Sequence, residues 1–249
     1  MSKKDDISRL YKPSTILEKI RFGLFCANTF FLLIAACVDD NINSYITIVL
    51  VVIAFLYMSV SVIDDGMVWF QAERARRKNS IQVAFNVRLD KHNTLEYYNN
   101  NVSNPDIAYA VNQFESVFFT KEISERMFWR AVVKILVVAI ILIIFFRVIT
   151  DNSVLLIVAQ TVFSTIVIED AIRMIIFTQR IKVLFEEAYH ELITVGISKS
   201  SQRIWLKYFC VEYESLKAHY RIRLSESLFH KLNPMLSEES KEICKQIKM

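Results

Sequence analysis

Polar side chains with the spacing of one helix face occur within an apolar stretch near position 165. Thr161, Thr165 and Glu169 follow one another at steps of four residues, and Arg173 continues the row. Residues four apart lie on the same side of an α-helix, so these groups share one face. Lys134, in the preceding apolar run, is expected at the level of Glu169. We call this set the polar face; its members are Gln160, Thr161, Ser164, Thr165, Glu169, Arg173 and Lys134.

Two kinds of chemistry fit the polar face. Ionisable groups in lipid cost about 2.5–3.5 kcal/mol or more, so they pair with each other or face protein or water. One interpretation is therefore packing between helices, with an interfacial Lys134–Glu169 ion pair. The other is a polar path that forms when copies of the chain assemble. Packing is the favoured interpretation, because Ser and Thr are routine residues between membrane helices.

Enzymatic chemistry has little support in the sequence. Three scattered glycines cannot build a phosphate-binding loop or a dinucleotide fingerprint, and four histidines show no metal-ligand spacing. Arg223 and His230 fit the loose Arg–His pattern of HEPN ribonucleases. The polar residue expected after that Arg is Leu224 here, however, and basic helices often contain such a pair. The sequence predicts a non-enzyme, with no catalytic, cofactor-binding or metal-ligating residues and no cofactor.

Composition indicates long helices, some of them in lipid. The chain is 53% hydrophobic with only three Gly and three Pro, and its mean hydropathy is +0.31. A membrane helix needs about 20 residues. A buried core helix could explain any one apolar run, but not four runs in two close pairs. These runs are Phe22–Val38, Tyr45–Ile63, Ala131–Phe146 and Val154–Phe177.

The predicted fold class is all-α, a polytopic helical membrane protein. The runs pair into hairpins through the short connections Asp39–Ser44 and Arg147–Ser153. Lys and Arg concentrate outside these connections, so the positive-inside rule places both termini in the cytoplasm. The predicted parts are a cytoplasmic N-terminus (1–21), hairpin 1 (22–63), a cytoplasmic helical insert (64–128), hairpin 2 (129–177) and a cytoplasmic helical tail (178–249).

The basic segment Arg74–Lys78 follows the second apolar run by about ten residues. Basic residues near anionic headgroups gain roughly 1 kcal/mol each, so we interpret the segment as a topology anchor. Sequence-specific nucleic-acid binding is not expected, because the net charge is only +4 and no binding motif accompanies the segment. No cleavable signal peptide is recognised. The four cysteines lack metal or redox spacing and are expected to be free thiols.

The cytoplasmic parts are predicted to be helical. A helix should extend inward from Asp64 to about Leu89, followed by an Asn-rich loop over Thr94–Asp106. Helical spacing then returns, since Ile107, Val111, Phe114 and Phe118 stand at i, i+4, i+7 and i+11.

The tail is expected to contain three helices. The first should stop at Gly196, the second should end at Asn233–Pro234, and Ser237 should cap a short last one. The tail's aromatic side chains are expected in a core or an oligomer contact rather than a ligand site; these are Trp205, Tyr208, Phe209, Tyr213, Tyr220 and Phe229.

One segment of the insert carries a family resemblance. Its residues are Ile81, Gln82, Phe85, Asn86 and Leu89, followed by His92–Asn93. Together with the arrangement of hairpin, insert, hairpin and tail, this segment resembles the four-transmembrane pore-forming effectors of bacterial anti-phage defence. That type accompanies nucleotide second-messenger synthases (SMODS or CBASS systems), and membrane effectors of retrons are similar. Asn86 stands where the family has an acid, and His92 where it has Trp.

The resemblance implies a cell-killing effector that disrupts the bacterial inner membrane after phage infection. It implies a homo-oligomer in lipid and a regulatory partner from the same operon, either a reverse transcriptase with its msDNA or a second-messenger system. Two other classes stay open, namely a small ion channel and a membrane scaffold that binds a soluble partner through its tail. A transporter is disfavoured because no Pro interrupts the spans.

Overall fold

The computed structural model describes residues 7–35, 38, 40–91, 102–148, 166–197 and 200–247. All regular elements within these residues are helical, which confirms the all-α prediction. A 3₁₀ turn (Ser8–Tyr11) precedes α1, and π-helical turns span Asp64–Val68 and His190–Val195. The α-helices are α1 (Lys12–Ala35), α2 (Asp40–Ile63), α3 (Trp69–Phe85), α4 (Pro105–Val148), α5 (Ile166–Tyr189), α6 (Ser200–Tyr220) and α7 (Glu226–Lys245).

The chain divides into two compact units. The first comprises Met1–Gln82 with Val87–Leu95, and the second comprises Val83–Asn86 with Glu96–Met249. The first unit therefore holds α1, α2 and most of α3. The second holds α4 to α7.

In the first unit, α1 and α2 pack as an antiparallel pair. The N-terminal half of α1 lies beside the C-terminal end of α2, since the Arg21 guanidinium donates to Ser61 Oγ at 3.1 Å. The predicted connection Asp39–Ser44 was too long, because α2 already begins at Asp40. Asp and Asn at positions 40 and 41 are residue types favoured at a helix start.

A single helical stretch in the described residues is long and apolar enough to cross a membrane. It runs from Ile42 to Phe85 and so contains most of α2, the π turn Asp64–Val68 and α3. Its most apolar window has a mean hydropathy of 2.8, and only 11% of that window is buried. The predicted helical extension of the second run is confirmed as far as Phe85, while its inward direction stays a prediction. There Asn86 adopts a left-handed conformation with φ 50° and ends the helix.

In the second unit, α4 and α5 form an antiparallel pair around which the hydrophobic core of this unit is built. Asn104 caps α4, with its side-chain oxygen accepting from the backbone N–H of Asp106 at 3.0 Å. The predicted helical spacing is confirmed in α4, where Val111, Phe114 and Phe118 are buried and Ile107 is partly buried. From this core α4 continues without a break into the third apolar run.

The tail begins as predicted and then departs from the prediction. Gly196 ends the first tail helix with φ 85°, a conformation that favours glycine. In α6, Phe209 and Tyr213 are fully buried in the core, as expected, whereas Tyr208 is exposed. The second tail helix was predicted to reach Asn233–Pro234, but it ends at Tyr220.

The break lies between α6 and α7, and Asn233–Pro234 lies inside α7. Arg221 has φ 51°, and the Ser225 hydroxyl accepts from the Leu228 backbone N–H at 3.4 Å to cap the new helix. Pro234 removes one backbone donor, and Ser237 caps no helix but instead donates to Asn233 Oδ1 at 3.3 Å.

Packing explains why α7 tolerates proline. Leu228, Leu232 and Leu236 recur every four residues and are buried with Phe118 and Ile123 of α4. Each buried leucine contributes about 1.5–3 kcal/mol. That burial exceeds the roughly 3 kcal/mol cost of a proline in a helix interior.

Candidate functional site

The polar face lies mostly outside the described residues. Gln160, Thr161, Ser164 and Thr165 fall within 149–165, and the side chain of Lys134 is likewise outside the description. The Lys134–Glu169 pair and the continuous row of polar groups therefore stay predictions.

The described end of the polar face is an ion pair. In the first turn of α5 a carboxylate oxygen of Glu169 accepts from the guanidinium of Arg173, four residues later. The two side chains are 57% and 42% exposed, so in this structure the pair lies on an open helix surface. Ser124 of α4 faces Thr178 of α5. Continued along two straight helices, this antiparallel register brings Lys134 level with the first turn of α5.

A buried polar contact in the first unit was not predicted. The Ser14 hydroxyl donates to Asp64 Oδ1 at 2.6 Å, and both side chains are essentially inaccessible to solvent. Asp64 opens the π turn that follows α2. Single π turns inside α-helices occur frequently at functional sites. The sequence signal for this contact is the Asp64–Asp65 pair directly after an apolar run.

A second cluster surrounds Glu73 in α3, nine residues after Asp64. Tyr11 donates its hydroxyl to Glu73 Oε1 at 2.8 Å, and Arg76 Nε donates to Glu73 Oε2 at 2.8 Å. The Tyr11 ring also meets Trp69 edge to face, with 5.4 Å between ring centroids. Glu73 is buried, and its charge is compensated by these donors. Part of the basic segment Arg74–Lys78 thus supports α3 internally.

The family-like segment forms the turn that ends α3. Gln82 Oε1 accepts from the backbone N–H groups of Leu89 and Asp90, at 2.9 and 3.0 Å. Asp90 in turn lies 3.5 Å from the Lys78 ammonium. Gln82 is buried while Leu89 is exposed, and Asn86 supplies the left-handed residue of the turn. His92–Asn93, the remainder of the family-like segment, lies outside the described residues.

A charged cluster lies in the middle of α4. Glu122 accepts from the Lys121 ammonium at 2.8 Å and from Arg126 at 3.1 Å. Burial would raise the pKa of Glu122, but the hydrogen bonds and charges of Lys121 and Arg126 outweigh it and hold the pKa below its usual value. Lys121 also lies 5.1 Å from the centre of the Phe185 ring. Through Lys121 this cluster contacts α5.

No family model, curated protein or solved structure matches this chain. Its function must therefore be argued from the residues themselves.

The Arg223–His230 pair is not held within one helix. Arg223 lies in the non-helical residues between α6 and α7, and His230 is exposed on α7. His230 Nε2 lies 3.6 Å from Glu226 Oε1. Among the described residues, no group of three or more His, Cys, Asp or Glu side chains could hold a metal ion.

The described cysteines are free thiols, as predicted for Cys26, Cys210 and Cys244. Burial and the neighbouring charge of Glu214 raise the pKa of Cys210 to about 12. Burial and Glu115 raise the pKa of Cys244 to about 11. Both tail thiols are therefore protonated at neutral pH and act as small apolar side chains.

Proposed function

We propose that this chain is a multi-pass protein of a bacterial inner membrane, with four spans and both termini in the cytoplasm. We further propose that it is the effector of an anti-phage abortive-infection system and disrupts membrane integrity when activated. The observation that carries the membrane assignment is the exposed apolar surface of α2. The defence role rests on the resemblance of the insert segment and the order of hairpins.

The surface of α2 is far more apolar than a water-exposed helix can be. Val51, Phe55, Met58 and Val62 are each more than 60% exposed. Leaving such a side chain in water rather than burying it costs about 1.5–3 kcal/mol. A core helix of the same composition would be mostly buried. A lipid bilayer can cover this apolar surface without a protein partner for each residue.

The passage of α4 from core to apolar run supports a second membrane entry. Phe114 and Phe118 are buried in the cytoplasmic core, whereas Leu136, Ile140 and Ile143, about five to seven turns after Phe118, are more than half exposed. Between them stands Trp129, which is 68% exposed. Trp is enriched where a helix meets the membrane–water interface. A helix has this order of surroundings when its first turns pack in a cytoplasmic core and its last turns enter lipid.

The proposed action takes place in the membrane. Copies of the chain would associate so that the polar face of the fourth span lines a path or lesion, while unit two receives the activating signal. We propose as that signal a partner from the same operon, a reverse transcriptase with its msDNA or a nucleotide second-messenger system. No cofactor is required by such a mechanism.

An exposed stripe on α6 favours a second candidate function, that of a membrane scaffold. Ile204, Tyr208 and Val211 are each more than half exposed and stand at i, i+4 and i+7, on one helix face. An apolar stripe of this kind on a cytoplasmic helix is suited to binding another helix. If the chain is a scaffold, the tail binds a soluble protein and the membrane spans serve only as an anchor.

Topology is tested with reporters that are active only in the cytoplasm. Fusions after Lys78 and after Met249 should both be active, while an insertion between residues 39 and 44 should be inactive. A periplasmic result at Lys78 or Met249 would overturn the four-span arrangement.

Toxicity separates the effector from the scaffold. Unregulated expression should depolarise the inner membrane and arrest growth before nucleic acid is damaged. Growth arrest with a normal membrane potential and degraded RNA would instead support the Arg223–His230 nuclease reading. Unimpaired growth, together with loss of a bound protein in Tyr208→Ser, would support the scaffold.

A further inference from the structure

A cleft of about 220 Å³ opens between α4 and α5 at the level where both helices leave the cytoplasmic core. Its volume is below the roughly 300–1,000 Å³ of clefts that enclose a whole drug-sized ligand. A cleft of this size can hold one end of an amphipathic molecule while the rest of that molecule stays outside the cleft. The lining residues are Glu125, Phe128, Trp129, Thr178, Gln179 and Lys182.

The two walls of the cleft carry opposite charges. Glu125 projects from α4, where its nearest cation is Lys121 at 4.0 Å, at the limit of an ion pair. Lys182 projects from α5 and is exposed, with no ion pair to another described residue. Because the charges stand on different helices, a ligand with a cationic and an anionic group can satisfy both at once.

The membrane side of the cleft is aromatic. Phe128 and Trp129 are adjacent on α4, with ring centroids 5.6 Å apart and planes almost perpendicular. The apolar run Ala131–Phe146 begins two residues after Trp129, and the fourth run ends at Phe177, just before Thr178. In the proposed topology, charges therefore face the cytoplasm and aromatic rings face the lipid, which is the polarity of a lipid headgroup region.

Thr178 and Gln179 supply the neutral polar groups of the cleft. The buried Thr178 hydroxyl donates to the Met174 carbonyl at 2.8 Å, so its oxygen retains capacity to accept a hydrogen bond. Gln179 is exposed beside it and can donate from its amide. An incoming ammonium thus finds oxygen acceptors, and an incoming phosphate finds an amide next to the Lys182 ammonium.

We propose that this cleft binds the headgroup of a zwitterionic phospholipid with a primary amine, the phosphatidylethanolamine class, on the cytoplasmic leaflet. The ligand's ammonium donates to Glu125 and lies against Trp129, and its phosphate accepts from Lys182 and Gln179. A purely anionic headgroup would bring its charge near Glu125 and offer no cation to that carboxylate, whose own partner Lys121 lies at the limit of an ion pair. The site therefore discriminates by charge pattern, not by net charge. This inference rests on the proposed membrane topology.

The test uses the full chain in nanodiscs containing equal amounts of phosphatidylethanolamine and phosphatidylglycerol. Native mass spectrometry after partial delipidation counts the lipids that remain bound. The wild type should retain phosphatidylethanolamine over phosphatidylglycerol by about tenfold. Glu125→Gln and Lys182→Gln should each abolish most of that preference. Matched changes of exposed charges elsewhere, Glu187→Gln and Lys207→Gln, should leave it unchanged.

Several outcomes overturn the site. Equal retention of both lipids by the wild type would do so, as would full preference in Lys182→Gln, an exposed position where folding is not at risk. Soluble glycerophosphoethanolamine, titrated against the detergent-purified chain, separates the headgroup from the lipid. Failure of the chain to enter nanodiscs overturns the proposed membrane topology. The cleft is then tested by binding of the soluble headgroup: loss of binding in Glu125→Gln supports the site, and unchanged binding overturns it.

Discussion

The hydroxyl of Ser14 donates to Asp64 across the start of α1 and the end of α2, at 2.6 Å and without access to solvent. The contact joins positions 50 residues apart at the point where the apolar part of α2 changes to a π turn. A buried carboxylate is costly unless donors satisfy it. Ser14 therefore fixes the geometry in which the hairpin meets α3.

Ser14→Ala should lower the stability of the first unit. Removing the donor leaves Asp64 buried with one hydrogen bond fewer, a loss of about 1–3 kcal/mol in the free energy of unfolding. Thermal unfolding in detergent, followed by circular dichroism, measures the change. Ser201→Ala, at an exposed position of α6, is the control and should have no effect. Equal melting temperatures for the two variants would show that the contact contributes nothing.

Glu169→Ala should lower membrane depolarisation or the amount of protein in the membrane. In water an exposed pair four residues apart on a helix is worth only about 0.3–0.5 kcal/mol, whereas a charge in lipid that loses its partner costs several times more. Lys134→Ala should have a smaller effect, and the double variant should be no worse than Glu169→Ala alone. Full level and activity in Glu169→Gln, Arg173→Gln and Lys134→Gln would reject a functional polar face.

Pro234→Ala should raise the stability of the second unit. The new backbone N–H can restore one helical hydrogen bond inside α7, where proline costs up to about 3 kcal/mol. Denaturant unfolding in detergent, followed by tryptophan fluorescence, gives the difference. The control is Pro105→Ala, because Pro105 occupies the first position of α4, where proline is favoured. A stabilisation no larger than that of the control would mean that α7 has relaxed around its proline without cost.

Glu122→Gln should make stability less sensitive to acid. The pKa of Glu122 is held below its usual value of 4.5 in the folded chain, so its pairing stabilises the fold above that pH. The stabilisation is lost as the pH falls from about 4.5 through the folded pKa, because the unfolded state takes up the proton first. Melting temperatures between pH 7 and pH 3 should fall more steeply for the wild type than for Glu122→Gln. Parallel curves for the two proteins, with exposed Glu239→Gln as reference, would contradict this.

Local patterns predicted the helices but not all of their ends. The spacing of Val111, Phe114 and Phe118 predicted one face of a helix, and Gly196 predicted the end of a helix. Both signals act within a few residues. Pro234 is a strong local stop signal that failed. Three leucines on the same helix gain more by packing on α4 than the proline costs, and that packing partner lies more than 100 residues earlier in the sequence.

The polar contacts of the first unit could not be predicted from the sequence for the same reason, because the partners are distant in the chain. Nothing in the neighbourhood of Ser14 distinguishes it from other serines near a helix start, and Asp64 reads as the end of an apolar run. Their contact depends on the register of α1 against α2, which neither segment specifies alone. Glu73 is similar, since its donor Tyr11 is 62 positions away.

The unbroken length of α4 makes it a lever arm. From Trp129 to Val148 the helix extends about 28 Å at 1.5 Å per residue. A tilt of about 10° around Trp129 would shift the far end by roughly 5 Å, close to one turn of helix. A small rearrangement of the stacked rings of Phe114 and Phe185, 5.4 Å apart at the other end, would thus be amplified mechanically along one rigid rod.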